Sequence, residues 1–160
     1  MSSKNNEGSG YALDEVDRGV LYALQRDARN VTAQEIADEV DASASTVRNR
    51  IANLEQAGVI TGYQPVIDYE KAGYSLRVMF VATADPDERE RLTAEILAVG
   101  GIVDVRGMVT GQRNLYIEAV AMSARDLGEI ANALTDYGLE IVSSEIVAGH
   151  ESQPFGEFMC

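Results

Sequence analysis

Between Asp41 and Gly62 the chain reads DASASTVRNRIANLEQAGVITG, a stretch whose side chains are of the types that bond nucleic acid. Ser, Thr, Asn, Gln and Arg can meet phosphate oxygens or the donors and acceptors on base edges. At about 100° per residue, Ser45, Asn49, Ala52 and Gln56 share one helical face, with Arg48 beside them and Arg50 nearer the opposite edge. That opposite edge carries Val47, Ile51 and Leu54 at i, i+4 and i+7, an apolar stripe that must meet a core. Ser43 is placed to cap the helix by accepting a hydrogen bond from a first-turn N–H. Gly58 is placed to end it, because glycine enters the left-handed conformation without steric cost. Taken alone, the pattern fits a solvated surface helix as well as a DNA-reading one.

The preceding residues supply elements to position it. Asp14 caps a helix predicted to run to Asp27, with Glu15 and Asp17 in the positive first turn and Val16, Val20 and Leu24 on one face. Thr32 and Glu35 form a capping-box pattern for a second helix over Ala33 to Val40. Asp41 and Ala42 leave a tight turn before the third. Three short helices, the last two so joined, make a helix-turn-helix whose final helix can enter a major groove. Residues 1–12, rich in Ser, Asn and Gly, read as a flexible N-terminus; 13–63 form the DNA-binding domain. Val59 to Tyr63 and Val66 to Asp68 are β-prone pieces around Pro65, suited to a small wing or to a linker strand within 64–74.

From residue 75 to 149 the pattern changes. Leu76 to Ala84, Ile102 to Thr110, Asn114 to Met122 and Leu139 to Ala148 read as strands. A helix is predicted from Pro86 to Val99, and another is capped by Ser123 and ended by Gly138. Gly111 to Arg113 turn the central hairpin. The order β-α-β-β-α-β is that of a ferredoxin-like domain, so the fold class is α+β: a winged-type helix-turn-helix followed by a ferredoxin-like domain. Helices cover one face of such a sheet. Val78, Phe80 and Ala82 alternate with Met79, Val81 and Thr83, so both faces are apolar enough to bury, which points to a homodimer. The tail, 150–160, holds Phe155, Phe158 and Met159 among polar residues; it either docks on a neighbouring subunit or stays loose.

Composition narrows the function classes. A hydrophobic content of 46% supports a packed core, and no apolar run is long enough to span a membrane. With no signal-peptide pattern in MSSKNNEGSG, the expected location is the cytoplasm. Cys160 is the only cysteine and His150 the only histidine, so neither a disulfide framework nor a metal site is expected, and no cofactor. The formal charge of −13 argues against nucleic acid, since DNA affinity comes largely from cations displacing counterions. Its distribution answers the objection. From Ala42 to Ile67 the charged residues are Arg48, Arg50 and Glu55, two positive against one negative. Lys4 and Lys71 are the only lysines, and that depletion beside so many acids suggests a salt-adapted, halophilic protein.

The stretches LDEVDRGVLYALQRDAR, EIADEVDASASTVRNRIANLEQAGVITGY, VIDYEKAGY and VTGQRNLYIEAVA, in this order and spacing, resemble the Lrp/AsnC (leucine-responsive, feast/famine) transcriptional regulators over about residues 13–149. The resemblance implies an archaeal DNA-binding regulator of palindromic double-stranded operators. It also implies a second domain that dimerises, often assembles into octamers, and binds an amino acid or similar effector between subunits. Carried over position by position, the DNA contacts would be Ser43, Ser45, Thr46, Arg48, Asn49, Arg50 and Asn53. The effector site would hold Arg106, Gly111, Gln112, Arg113, Asn114 and Ser144.

Departures from the family pattern matter. Glycine is common at the turn where this chain has Asp41, and basic residues are common at Asn49, Ala52 and Asn53. Fewer cations imply fewer phosphate contacts and a shallower salt dependence of binding. Where the family usually has Gly-x-x-Asp, this chain has Gly111-Gln112-Arg113-Asn114, and Asn offers neutral hydrogen bonds in place of a carboxylate. Arg106 and Arg113, with no acid from Val105 to Ile117, suit an acidic or uncharged effector over a basic one. The same residues would also serve simply to build a hairpin. Two other readings use the same framework: an enzyme similar to siroheme decarboxylase subunits, for which no His/Arg cluster is present, and an effector-binding assembly protein without DNA contact.

Overall fold

A computed structural model describes residues 10–159, so the expected flexible residues 1–9 and Cys160 lie outside the described residues. The chain forms two compact units, one comprising the chain to Pro65 together with the segment from Glu151, the other Val66–His150. No helix among the described residues is long and apolar enough to cross a membrane.

In the first unit α1 (Glu15–Asp27), α2 (Ala33–Val40) and α3 (Ala44–Gln56) pack around Val20, Leu21, Ala23, Ile36, Ala37, Val47 and Leu54. Capping closes their N-termini. The Asp17 N–H donates to Asp14 Oδ1 at 2.9 Å and the Asp14 N–H to Asp17 Oδ2 at 3.2 Å. Thr32 and Glu35 make the same reciprocal pair on α2, at 2.7 and 3.2 Å. Ser43 Oγ accepts the Thr46 N–H at 3.1 Å on α3. Gly19 on α1 is a packing position that its sequence context does not announce: a Cβ there would lie 2.3 Å from Val40 Cγ1, so glycine permits the close approach of α2.

The β-prone pieces Val59 to Tyr63 and Val66 to Asp68 take part in no strand pairing. After Gly58 the Val59 and Ile60 N–H groups turn back to the Leu54 carbonyl, at 2.9 and 3.1 Å, and the Tyr63 hydroxyl donates to Glu55 Oε1 at 2.8 Å. The tail corrects a second expectation. Within this chain it does not stay loose: a 3-10 turn, Gly156–Met159, packs Phe158 against the hydrophobic cluster of the helical unit.

The second unit runs β1 (Leu76–Thr83), α4 (Arg89–Leu97), β2 (Ile102–Gly107), β3 (Leu115–Ala121), α5 (Ala124–Asp136) and β4 (Glu140–Ile146). Its antiparallel sheet has the order β2-β3-β1-β4, the ferredoxin-like arrangement. Leu92 and Ile96 of α4 and Ile130 and Leu134 of α5 bury against Val78, Phe80, Ala82, Leu115, Ile117 and Ala119. Period-two alternation therefore assigns Arg77, Met79, Val81 and Thr83, with Tyr116, Glu118 and Val120 across from them, to the other face.

Boundaries moved where side chains diverted the backbone. The helix expected from Pro86 begins at Arg89, because Asp85 holds a turn with its Oδ1 on the Asp87 N–H at 3.0 Å. β2 stops at Gly107, short of Thr110. Arg89 Nη1 donates to the Met108 carbonyl at 2.6 Å and the Met108 N–H to the Asn114 carbonyl at 2.8 Å, which leaves 108–114 as a loop longer than the expected turn.

Candidate nucleic-acid interface

Asp41 ends α2 in the left-handed conformation, φ 53° and ψ 51°, the one non-glycine residue with positive φ among the described residues. The Asp41 N–H returns to the Ala37 carbonyl, and so does that of Ala42, at 3.0 Å. This turn sets α3 against α2, where Val47 and Leu54 are wholly buried. Burying that stripe turns the polar face outward: Ser45, Arg48, Asn49, Ala52, Asn53 and Gln56 are all exposed. At the start of α3 the Ser43, Ser45 and Thr46 hydroxyls lie together, with Ser43 Oγ 3.0 Å from Ser45 Oγ and 2.8 Å from Thr46 Oγ1. Hydroxyls at a helix N-terminus beside unpaired main-chain N–H groups suit a phosphate.

The two arginines of α3 have different positions. Arg48 is exposed and makes no ion pair among the described residues. Arg50, also expected to contact DNA, is ion-paired with α1: its Nη1 lies 2.6 Å from Asp14 Oδ2 and 3.2 Å from Asp17 Oδ1, and Asp17 is 1% exposed. The Asp17 main-chain N–H, and then the Arg50 guanidinium, hold the Asp14 carboxyl below its ordinary range, while the paired carboxylates raise Arg50. Its place at the half-buried edge of α3, beside the apolar stripe, puts the α1 carboxylates within its reach. Arg26 is paired likewise with Glu39, at 2.6 Å. Arg18 and Arg29, not singled out in the sequence, make no ion pair among the described residues and join Arg48 as available cations of this unit.

Within this one chain the expected effector residues do not form a single pocket. Gly111, with φ +94°, Gln112 and Arg113 are exposed in the 108–114 loop. Arg106 is paired with Asp104 at 2.8 Å, an acid one residue outside the stretch that looked uniformly basic, which leaves Arg113 as the free cation of the pair. Asn114 is buried, and both ends of its amide are engaged: Oδ1 accepts the Ala84 N–H at 2.8 Å and Nδ2 donates to the Ala84 carbonyl at 2.7 Å. It clamps the loop to the end of β1, with one Nδ2 hydrogen and one Oδ1 lone pair not used by the Ala84 pair. Ser144 is exposed on β4, opposite Phe80 of β1. An open cavity of about 440 Å³ in this unit is lined by Tyr74, Val99, Gly101, Val120, Met122 and Asp126 among others, and by none of these residues.

One polar cluster of this unit had gone unremarked. Glu118, 4% exposed in the middle of the otherwise apolar strand LYIEAVA, is ion-paired with Arg77, whose guanidinium sits 5.9 Å from the Tyr69 ring. An acid inside an apolar strand is the signal that could have found it, since a buried carboxylate requires a partner.

Comparison with known proteins agrees with this geometry. A family model described as winged helix-turn-helix DNA-binding matches residues 13–61. An HTH-type transcriptional regulator from Pyrococcus furiosus is 35% identical over 117 residues, covering 73% of this chain and 78% of the relative. Another, from Pyrococcus abyssi, is 30% identical over 139 residues, covering 84% and 91%. The leucine response regulatory protein LrpA of Mycobacterium tuberculosis superposes with a TM-score of 0.74 at 26% identity, covering 88% of this chain and 96% of that one. A transcriptional regulator of Neisseria meningitidis, solved as its L-Met complex, shares the fold at 21% identity, with a TM-score of 0.73 and coverage of 89% and 94%. Helix-turn-helix, ferredoxin-like sheet and relatives spanning both units lead to one assignment: the chain belongs to the Lrp/AsnC family of transcriptional regulators, and it binds DNA.

Proposed function

We propose that this regulator reads a palindromic double-stranded operator as a homodimer, with one α3 in the major groove of each half-site. The observation that carries the reading is the exposed row Ser45, Arg48, Asn49, Asn53 and Gln56, backed by buried Val47 and Leu54. Asn and Gln suit adenine, Arg suits guanine, and the Ser43 and Thr46 hydroxyls suit the adjoining phosphate. Arg48 is the principal cation of the row, and Arg50 supports it from behind. Dimerisation would cover the sheet face that carries Met79, Val81 and Val120, and higher assembly such as an octamer would build on that dimer.

The same reading includes a small effector held between subunits at the 108–114 loop. Arg113 would take a carboxylate and Gln112 would supply neutral hydrogen bonds, while Asn114 keeps the loop in place. An uncharged amino acid fits that set, and the L-Met complex of the Neisseria regulator supports the class. We further propose that the protein is a regulator without catalytic activity, and that its low lysine content reflects adaptation to a salty cell interior.

Electrophoretic mobility shift with the DNA upstream of the protein's own gene, across a salt series, tests the core of this. A specific shift is expected, with a log–log salt slope shallower than six phosphate contacts would give. No shift at any salt concentration would overturn it. Repeating the titration with L-Met and other neutral amino acids tests the effector, whose coupling must appear as a change in affinity or assembly.

A further inference from the structure

The DNA-binding unit contains a segment lying far beyond it in the chain. In a 3-10 turn residues three apart fall on the same side, so Phe155 and Phe158, flanking the start and body of Gly156–Met159, come together. The Phe158 N–H donates to the Phe155 carbonyl at 3.1 Å, and the rings meet edge to face with centroids 4.9 Å apart at 86°. Phe158 then packs into the cluster of Val20, Leu21, Val47 and Leu54. The Phe155 N–H donates to Gln25 Oε1 of α1 at 3.2 Å, across 130 positions of sequence.

We propose that α1 carries a peptide-docking seat whose occupant is the chain's own C-terminal segment, Pro154–Met159, and that this plug completes and steadies the DNA-binding unit. The seat takes an aromatic pair held at i and i+3, with one main-chain N–H donated to Gln25. Its hold is modest. No residue of the 3-10 turn is fully buried, and Phe155 and Met159 are 55% and 67% exposed, so the plug belongs to the readily opened part of the molecule. The chain leaves the helical unit at Pro65 and re-enters it at Glu151. The main chain thus joins that unit to Val66–His150 at both junctions, but the second junction holds the helices only while the plug is seated; release of the plug leaves the junction at Pro65 as the remaining tether. Opening and closing of the plug is a route by which the C-terminal part of the chain regulates the rigidity of the DNA-reading helices.

Hydrogen exchange without DNA tests this independently of any operator. Full-length protein, Phe158→Ala and a chain ending at His150 are compared by mass spectrometry. Amides in the second half of α1 should exchange about fivefold faster in both variants, the loss expected from one half-buried phenylalanine, while the β1–β3 ladder stays unchanged. A synthetic peptide of residues 151–159 should restore protection to the shortened chain, and the same peptide with both phenylalanines replaced by alanine should not. Equal α1 protection with and without the tail overturns the proposal, and so does global unfolding of the shortened chain that the peptide fails to reverse. Protection restored by adding full-length chains at matched concentration would assign the plug to a second copy and overturn its assignment to the same chain.

Discussion

Replacing Arg50 and Arg48 separately discriminates between two roles for α3 cations that look alike in sequence. Arg50 is 31% exposed and faces Asp17, which is 1% exposed, at 3.2 Å. Its removal leaves the Asp17 carboxylate buried with the Asp14 N–H as its remaining partner, at 3.2 Å. Breaking such a pair from one side costs about 2–4 kcal/mol, more than the pair itself contributes, because an uncompensated charge stays behind. In a domain of this size each kcal/mol moves the melting temperature by about 4–8 °C, so Arg50→Ala should lower the first unit's transition by roughly 8–30 °C. Arg48 faces solvent, and Arg48→Ala should change stability by no more than about 0.5 kcal/mol. Its effect belongs to DNA: several-fold weaker binding, with the salt slope reduced by about one. Thermal melts by circular dichroism and fluorescence anisotropy on an operator fragment, the latter well below the melting transition, separate the two. Arg50→Ala with Asp17→Asn should regain part of the lost stability, since neither charge is then stranded. The reasoning fails if Arg50→Ala melts with the parent protein and loses DNA binding as Arg48→Ala does.

Other expectations follow from single contacts. Asn114→Ala strands the Ala84 N–H and carbonyl and should destabilise the second unit by about 2–4 kcal/mol in a urea titration; an unchanged midpoint would refute the clamp. Asn114→Asp, the residue common in the family, would set a carboxylate oxygen against the Ala84 carbonyl. It should cost stability at neutral pH and recover some of it in acid, where the protonated form can donate. Asp41→Gly relieves the left-handed strain at φ 53° and should stabilise the helix-turn-helix by about 0.5–1 kcal/mol, whereas Asp41→Ala should not stabilise it. Tyr63, raised from 10.0 to about 12 by partial burial and by the hydrogen bond it donates to the Glu55 carboxylate, adds stability that is complete below pH 10 and lost as pH rises through about 12. Ultraviolet titration should show a late tyrosinate step that disappears in Tyr63→Phe.

Much of this protein was determined locally. The caps at Asp14, Thr32, Ser43 and Ser123, the apolar stripes and the left-handed stop at Gly58 depend on residues within a few positions of one another, so the helices and the β-α-β-β-α-β order were legible from the chain. So was the outward polar face of α3, since burying Val47 and Leu54 leaves the face no other direction. Tertiary structure decided which polar groups are free. Arg50 is spent on carboxylates 33 and 36 positions away, Asn114 on a main chain 30 away, and Phe155 on a glutamine 130 away. Sequence spacing carries no record of such distant partners. Arg48 and Arg50 share a residue type and one turn of helix, yet after folding Arg48 meets no carboxylate and stays in solvent, whereas Arg50 meets Asp14 and Asp17 of α1.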